Sequence, residues 1–296
     1  MSAQESGPGV VSADDVGTYT IARTQLLDSR FTMAYAAAIN DPNPAYFDDT
    51  RAGGLAVHPG ICFSLQWASR FRPGQPVNMR AAPYGVHAST DLRMHRPFRA
   101  GEAITTQGRM VQKRQIRPGV FALERYRMTA ADGELVAELD YNGITRGATL
   151  DGQDRLLEPD PQLPVVSIGD GSPLWRREID IAAHAAQQYT ECAQIYNPIH
   201  TERSVALAAG LPDIILHGSA TKAMSLTAVV DACFDGDATK VTRLAGQLRG
   251  MVLMRSTMTV EALSDEVVDG ERRVAFRTLN DAGQPAIDGG VVIGRA

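Results

Sequence analysis

The chain has 296 residues, of which 44% are hydrophobic and 21% charged, and a formal net charge of -5. That length holds one large domain or two units of about 150 residues, and the composition excludes an extended disordered chain. The basic residues are scattered singly or in pairs, which gives no nucleic-acid footprint in the order of residues.

The amino-terminal run "MSAQESGPGVVSADDVG" has no basic stretch followed by an apolar core, so no secretory signal is expected. No segment reaches the roughly 18 to 20 apolar residues of a membrane span. Cys62, Cys192 and Cys233 are odd in number and far apart, the pattern of reduced thiols in a cytoplasmic protein. There is no CxxC pair, no metal-ligand spacing among the histidines, no GxGxxG and no phosphate-binding GKS or GKT run. Neither a metal nor a cofactor is expected.

The first element follows in "FTMAYAAAINDPNPAYFDDTRAGGLAVHPGICFSLQWA": a small-residue helical run, an Asn-Pro turn, a Gly-Gly break and a Pro-Gly step into a second apolar helix. From Ser89 onward, runs of alternating apolar and polar residues separated by turn signals read as strands, with "ADGE" at 131–134 as a hairpin turn. Residues 151–172, rich in Gly and Pro and without a periodic face, read as a linker.

After the linker the order repeats. "AAHAAQQYTECAQIYNPIHTERSVALAAGLPDIILHGSATKAMS" carries a helix expected from about Ile179 to Ile195, an Asn-Pro turn, an Ala-Gly break and a His-Gly step into another apolar helix. Strand-rich segments again follow. Asn43 and Asn197 lie 154 positions apart, close to half the chain. The expected organisation is an α+β layout with one repeat over 1–150, the linker over 151–172 and a second repeat over 173–296.

Pro198 fixes its own backbone and biases Asn197 away from helix, so His200 is expected on a short loop just past a helix end. An imidazole there can exchange protons near neutral pH. Gly218 allows close backbone approach at the start of the next helix, whose unpaired N–H groups can hold a carbonyl oxygen as charge develops on it. His217, flanked by apolar residues, reads as a buried histidine bonded to backbone.

"AQIYNPIH" followed by "IILHG" resembles the MaoC-like hydratases and dehydratases, including R-specific enoyl-CoA hydratases, and "AINDPNPAY" resembles the degenerate first repeat of their double hot-dog members. The resemblance covers nearly the whole chain. It implies a double hot-dog fold, in which each repeat wraps a long helix in an antiparallel sheet, and an acyl thioester of CoA or a carrier protein as substrate. A homodimer is a further expectation, with neither nucleic acid nor membrane as partner. By this resemblance His200 is the catalytic histidine, Asn197 the orienting amide and Gly218 the oxyanion donor.

The sequence departs from the family pattern where the catalytic Asp is expected, because that position holds Ile195. The first repeat shows the reverse, with Asp41 and Asn43 present and Tyr46 at the histidine position. Three outcomes stay open. Asp41 joins His200 in a composite site; Glu191, Gln194, Tyr196 or Glu202 takes over the missing function; or the chain isomerises or cyclises its substrate, or only binds an acyl group, without the second acid.

Overall fold

A computed structural model describes residues 9–70, 85–159 and 162–296. The first eight residues of the run read for a signal, and residues 160 and 161 of the expected linker, lie outside these. The first half contains β1 (Val10–Ser12), β2 (Arg23–Leu26), α1 (Ser29–Ala38), α2 (Cys62–Ser69), β3 (Gly85–Met94), β4 (Ala103–Ile116), β5 (Gly119–Ala130) and β6 (Leu135–Arg146). Two short strands follow, β7 (Thr149–Asp151) and β8 (Arg155–Leu156). The second half contains β9 (Trp175–Ile181), α3 (Ala185–Ala193), α4 (Arg203–Ala208), α5 (Gly218–Cys233), β10 (Val241–Leu248), β11 (Ser256–Val268), β12 (Glu271–Leu279) and β13 (Pro285–Arg295).

Among the described residues the main sheet has 11 strands in the order β2-β4-β5-β6-β3-β10-β13-β12-β11-β9, with β8 beside β4. Its two arms mirror one another about the antiparallel pair β3 and β10, in register from Arg93 opposite Arg243 to Ser89 opposite Gln247. One apolar core runs beneath both arms, from Tyr35, Phe63 and Tyr126 to Tyr189, Leu226 and Phe276. Helix α5 lies in this core with buried residues on every side, from Ala220 to Cys233, as expected of a helix that the sheet encloses rather than one lying on a surface.

The first two of the paired helices carry the two halves' symmetry into the core. Tyr35 of α1 and Tyr189 of α3, separated by 154 positions, meet with their hydroxyls 3.4 Å apart. Gly60 sits where a side chain would collide with the Tyr35 hydroxyl at 2.6 Å and press on Ala223 of α5 at 3.1 Å. Absence of a Cβ lets the entry to α2 approach α5 this closely.

Two sequence expectations need correction. The segment from Ile179 does not open a helix: Trp175–Ile181 is strand β9, paired with β11 from Ala262 to Ser256, and α3 begins only at Ala185. The alternation in "WRREIDI", with Trp175, Ile179 and Ile181 on one face, has period two, and the edge of β11 supplies hydrogen bonds that a local helix would otherwise make. The helix also ends before the Asn-Pro step, at Gln194, whose φ of 58° is left-handed. The beginning of the expected linker is likewise structured, since β7 pairs in parallel with β1 and β8 pairs with β4.

The β3–β10 seam is held from both faces. On one face the buried carboxylate of Asp91 accepts two bonds of 2.8 Å from the Arg243 guanidinium and one of 2.8 Å from Arg93. On the other, Lys222 of α5 donates to Thr90 of β3 and to the Gly246 carbonyl of β10, the latter at 2.9 Å. Asp91→Ala leaves Arg243 and one face of Arg93 without their carboxylate and is expected to lower stability by about 3 kcal/mol. Urea denaturation of the variant beside the wild type measures this.

Candidate functional site

A cavity of about 930 Å³ opens between the halves, lined from the second half by Ile195, Asn197, His200, His217, Gly218 and Leu248 and from the first by residues of α2, β3, β5 and β6. That volume lies in the range of small-molecule sites. His200, Asn197 and Gly218, predicted as site residues, therefore share one space.

Asn197 caps a one-turn 3-10 helix, Pro198–His200, with its side-chain oxygen accepting from the Ile199 N–H at 3.3 Å. This use of the oxygen turns the side-chain NH₂ into the group available to a ligand. The same turn carries His200 to the cavity wall, where Nδ1 lies 2.8 Å from the Ile215 carbonyl oxygen. A carbonyl only accepts, so Nδ1 carries the proton and Nε2 the lone pair.

His217 precedes α5 and packs its ring on that of His200, with centroids 3.7 Å apart and planes inclined by 25°. Its Nε2 lies 3.3 Å from the Ile195 carbonyl and 3.2 Å from the Thr190 hydroxyl, while its buried Nδ1 has no partner among the described residues. His217 is thus bonded to backbone, and it supports His200 by stacking. Gly218 is the first residue of α5, a position whose N–H has no acceptor within the helix. A side chain there would meet Leu248 Cδ1 at 2.4 Å, so any larger residue must displace Leu248, itself part of the cavity wall.

Desolvation governs protonation in this region. Removal from bulk water pushes His200 down to about 4, opposed by its bond to the Ile215 carbonyl, and drives His217 well below the ordinary histidine value. The remaining accessibility of His200 is toward the cavity. Both rings are neutral at pH 7, which keeps the His200 lone pair available.

Asp41 is not among the residues lining this cavity. It is buried in the first half, with Oδ1 accepting from the Asn43 N–H at 3.0 Å and Oδ2 from the Thr227 hydroxyl at 2.8 Å. Thr227 in turn lies 3.3 Å from His58 Nε2, and His58 Nδ1 accepts from the Gly60 N–H at 3.1 Å. The Asp41–His200 composite is therefore corrected: Asp41 belongs to a hydrogen-bonded chain of its own on the symmetry-related side. Asn43, the counterpart of Asn197, is also fully engaged, donating from its amide to the Gly236 carbonyl at 2.7 Å.

The proposed substitutes for the missing carboxylate fare no better. Glu191, Gln194, Tyr196 and Glu202 are exposed and absent from the cavity wall. Helix α3 ends at Ala193, two residues earlier than expected, and is followed by the left-handed Gln194. Ile195 itself is buried against the cavity.

Comparison with known proteins follows the two halves. Residues 167–284 match the MaoC like domain, and residues 12–139 match the FAS1-like dehydratase domain region. The second half thus matches a MaoC-like domain and the first a dehydratase domain region, each over its own part of the chain. Among solved structures, a MaoC-like dehydratase from Phytophthora capsici superposes with a TM-score of 0.78 at 18% identity, covering 95% of this chain and 96% of that one. A conserved Mycobacterium tuberculosis protein described as having a double hotdog fold gives a TM-score of 0.62 at 14% identity, covering 95% of this chain and 96% of that one.

A curated relative, the enoyl-CoA hydratase ChsH3 of Mycobacterium tuberculosis, is 40% identical over 79 residues, which is 27% of this chain and 26% of that protein. The aligned part thus spans about a quarter of the relative's length. The continuous sheet wrapped on its helices is the α+β double hot-dog layout that the repeats imply.

The cavity wall also holds residues that sequence reading did not single out: Gln66, Arg70, His87, Glu124 and Tyr141, all from the first half. None lies in an Asn-Pro or His-Gly motif. A pairing of Arg70 on α2's end with Glu124 on β5 is a long-range fact, and no local spacing announces it.

The depressed histidines predict the sign of the acid response. His200 falls to about 4 and His58 to about 3 through desolvation, whereas the unfolded chain protonates histidine near the ordinary value of about 6.5. Between those values the unfolded state binds more protons, so stability falls as pH drops from about 6.5 toward 4. Asp41, raised mainly by burial, contributes the opposite slope and offsets part of the loss. Thermal melts at pH 7 and pH 4.5 are expected to differ by several degrees, with the higher midpoint at pH 7.

Proposed function

We propose that the protein is a hydratase or dehydratase of enoyl and 3-hydroxyacyl thioesters that works with one proton carrier. The observation that carries this reading is the tautomer of His200: with Nδ1–H bonded to the Ile215 carbonyl, Nε2 faces the cavity shared with the Gly218 N–H. A CoA or carrier-protein thioester supplies the carbonyl for that N–H and for the positive end of α5. The aligned hydratase relative supports the same class of reaction for the part it covers.

In the hydration direction the substrate's thioester oxygen accepts from Gly218, which draws electron density from the double bond. The Asn197 NH₂ holds the oxygen of a water molecule. His200 Nε2 takes one proton from that water as its oxygen bonds to the β-carbon, then returns the proton to the α-carbon. One water is added, and His200 ends as it began. Dehydration is the reverse.

Ile195 stands where the family pattern has its carboxylate, so no second base assists the water and no anion stabilises the protonated imidazole. His200, already depressed by desolvation, is then a weak base, and slow turnover is expected. The same residue favours a second reading, an acyl-binding protein without turnover, in which Asn197, His200 and Gly218 only hold the thioester.

His200→Ala is expected to lower the rate of hydration of an enoyl-CoA by about a hundred- to ten-thousandfold while leaving the thermal midpoint near that of the wild type. Spectrophotometric loss of the conjugated thioester follows the reaction. Unchanged turnover sinks the role given to His200, and binding without turnover in the wild type selects the acyl-binding reading.

Ile195→Asp places a carboxylate on the same wall. It is expected to raise the His200 protonation midpoint, because a nearby anion favours imidazolium, and to increase turnover. NMR titration of the imidazole and steady-state kinetics of this variant measure the two effects.

A further inference from the structure

One charge in the proposed reaction has no counterion. When His200 Nε2 takes a proton from water it becomes an imidazolium in a site where Ile195, not a carboxylate, lines the wall. Among the described residues no carboxylate acts on either His200 or His217. A cation held away from water without a partner is costly. The group that faces this cation is the ring of His217. The two imidazoles stack with centroids 3.7 Å apart and planes inclined by 25°, well inside the roughly 6 Å over which a ring face attracts a cation.

Which ring of the pair takes the proton is decided by where their nitrogens lie. His217 Nε2 is 3.3 Å from the Ile195 carbonyl oxygen, and a carbonyl only accepts, so Nε2 carries the hydrogen and Nδ1 the lone pair. That Nδ1 is buried with no partner among the described residues. A proton added to it becomes a buried N–H with nothing to accept it, whereas His200 lines the cavity and its Nδ1 is already the protonated nitrogen. His200 is therefore the ring that gains charge, and His217 stays neutral beside it. The Thr190 hydroxyl, 3.2 Å from His217 Nε2, and the Ile195 carbonyl hold that ring by its edge, which leaves a face to His200. Tyr189 of α3 flanks His217 with centroids 5.0 Å apart, and burial keeps its hydroxyl protonated, so it brings no anion to the pair.

We infer that His217 is a positioning residue whose ring face stabilises the imidazolium of His200, supplying by cation–π attraction part of what a carboxylate at position 195 supplies by charge. The residue that removes the carboxylate also orients the substitute, since the Ile195 carbonyl accepts from His217. Protons move only between water, His200 Nε2 and the α-carbon, and His217 neither gives nor takes one. This rests on the reading of His200 as the proton carrier and adds what steadies its charged form.

The test compares His217→Phe, which keeps an aromatic face, with His217→Leu, which removes it. Both variants are apolar and both lose the bonds to Ile195 and Thr190, so the difference between them isolates the ring face. Ring chemical shifts of His200 are followed by NMR from pH 8 down to pH 5, its signals identified by their absence from His200→Ala. At pH 5 the protonated fraction is expected to fall about tenfold in His217→Leu, the size of a cation–π contact out of water, and to stay within about threefold of wild type in His217→Phe. For hydration of an enoyl-CoA, kcat is expected to fall about tenfold in His217→Leu with KM unchanged, because the face acts on charge that forms only during the reaction. His217→Phe is expected to recover most of that loss.

An unchanged protonated fraction in His217→Leu, equal losses of protonation in the two variants, or a rise in KM that accounts for the whole loss of turnover overturns the assignment. The NMR measurement needs no turnover. The expected loss of protonation in a protein whose wild type is inactive removes the hydratase reading and leaves the stack, whereas wild-type turnover with no loss of protonation in His217→Leu removes the stack and leaves the hydratase. Circular dichroism melts check that the variants fold. If His217→Leu does not, His217→Met takes its place as the variant without a ring.

Discussion

Antiparallel pairing of β3 with β10 is the constraint on which the rest of the molecule depends. It turns two half-sheets into one continuous surface, and a continuous surface can enclose α5 where a single arm would leave part of it exposed. Fixing this seam is costly, because it buries charge. Asp91 accepts from Arg93 and Arg243 on one face, and Lys222, pulled down to about 7 by desolvation, is held by Thr90 and Gly246 on the other. Neither group is tolerable there unless its partners arrive together, which makes correct pairing of the halves a condition of folding.

The seam also explains why the halves have diverged in different directions. Each brings one Asn-Pro turn and one histidine at the entry to a buried helix, but the polar groups are spent differently. In the first half Asp41 and His58 are both engaged by Thr227 of α5, and Asn43 is bound at both ends of its amide. Nothing is left over for a ligand. In the second half Ile195, Asn197 and His200 all line the cavity, and Asn197 and His200 each use one side-chain polar atom on the backbone. Symmetry of fold has been retained while hydrogen-bonding capacity has moved to one side, and the first half contributes wall rather than chemistry.

Much of this was legible in local residue order. The duplicated Asn-Pro and His-Gly steps located the two repeats, and Pro198 and Gly218 placed His200 and a helix start in the right relation. Strand β9 was not legible as a strand, because its polar, Ile-spaced residues are compatible with either period until the edge of β11 is there to pair with it. The meeting of Asp41 with His200 was one outcome left open by the motif, which has its Asp in one repeat and its His in the other. It failed because the symmetry that places Asn43 opposite Asn197 carries Asp41 to the far side, where Thr227 already waits. Arg70 and His87 were missed for the same physical reason: they reach the cavity from a different repeat, and a contact of that kind leaves no spacing to read.

By itself, therefore, the sequence determined the repeat, the α+β class and the local geometry that puts an imidazole beside a helix N-terminus, since these follow from short-range backbone preferences and side-chain periodicity. Only the tertiary structure decided which lone pairs face the cavity, that His200 is neutral through desolvation, that Asp41 is already satisfied, and that a polar cluster from the first half shares the space. Those properties depend on which groups lose water together, and water is excluded by the packing of residues that lie far apart in the chain.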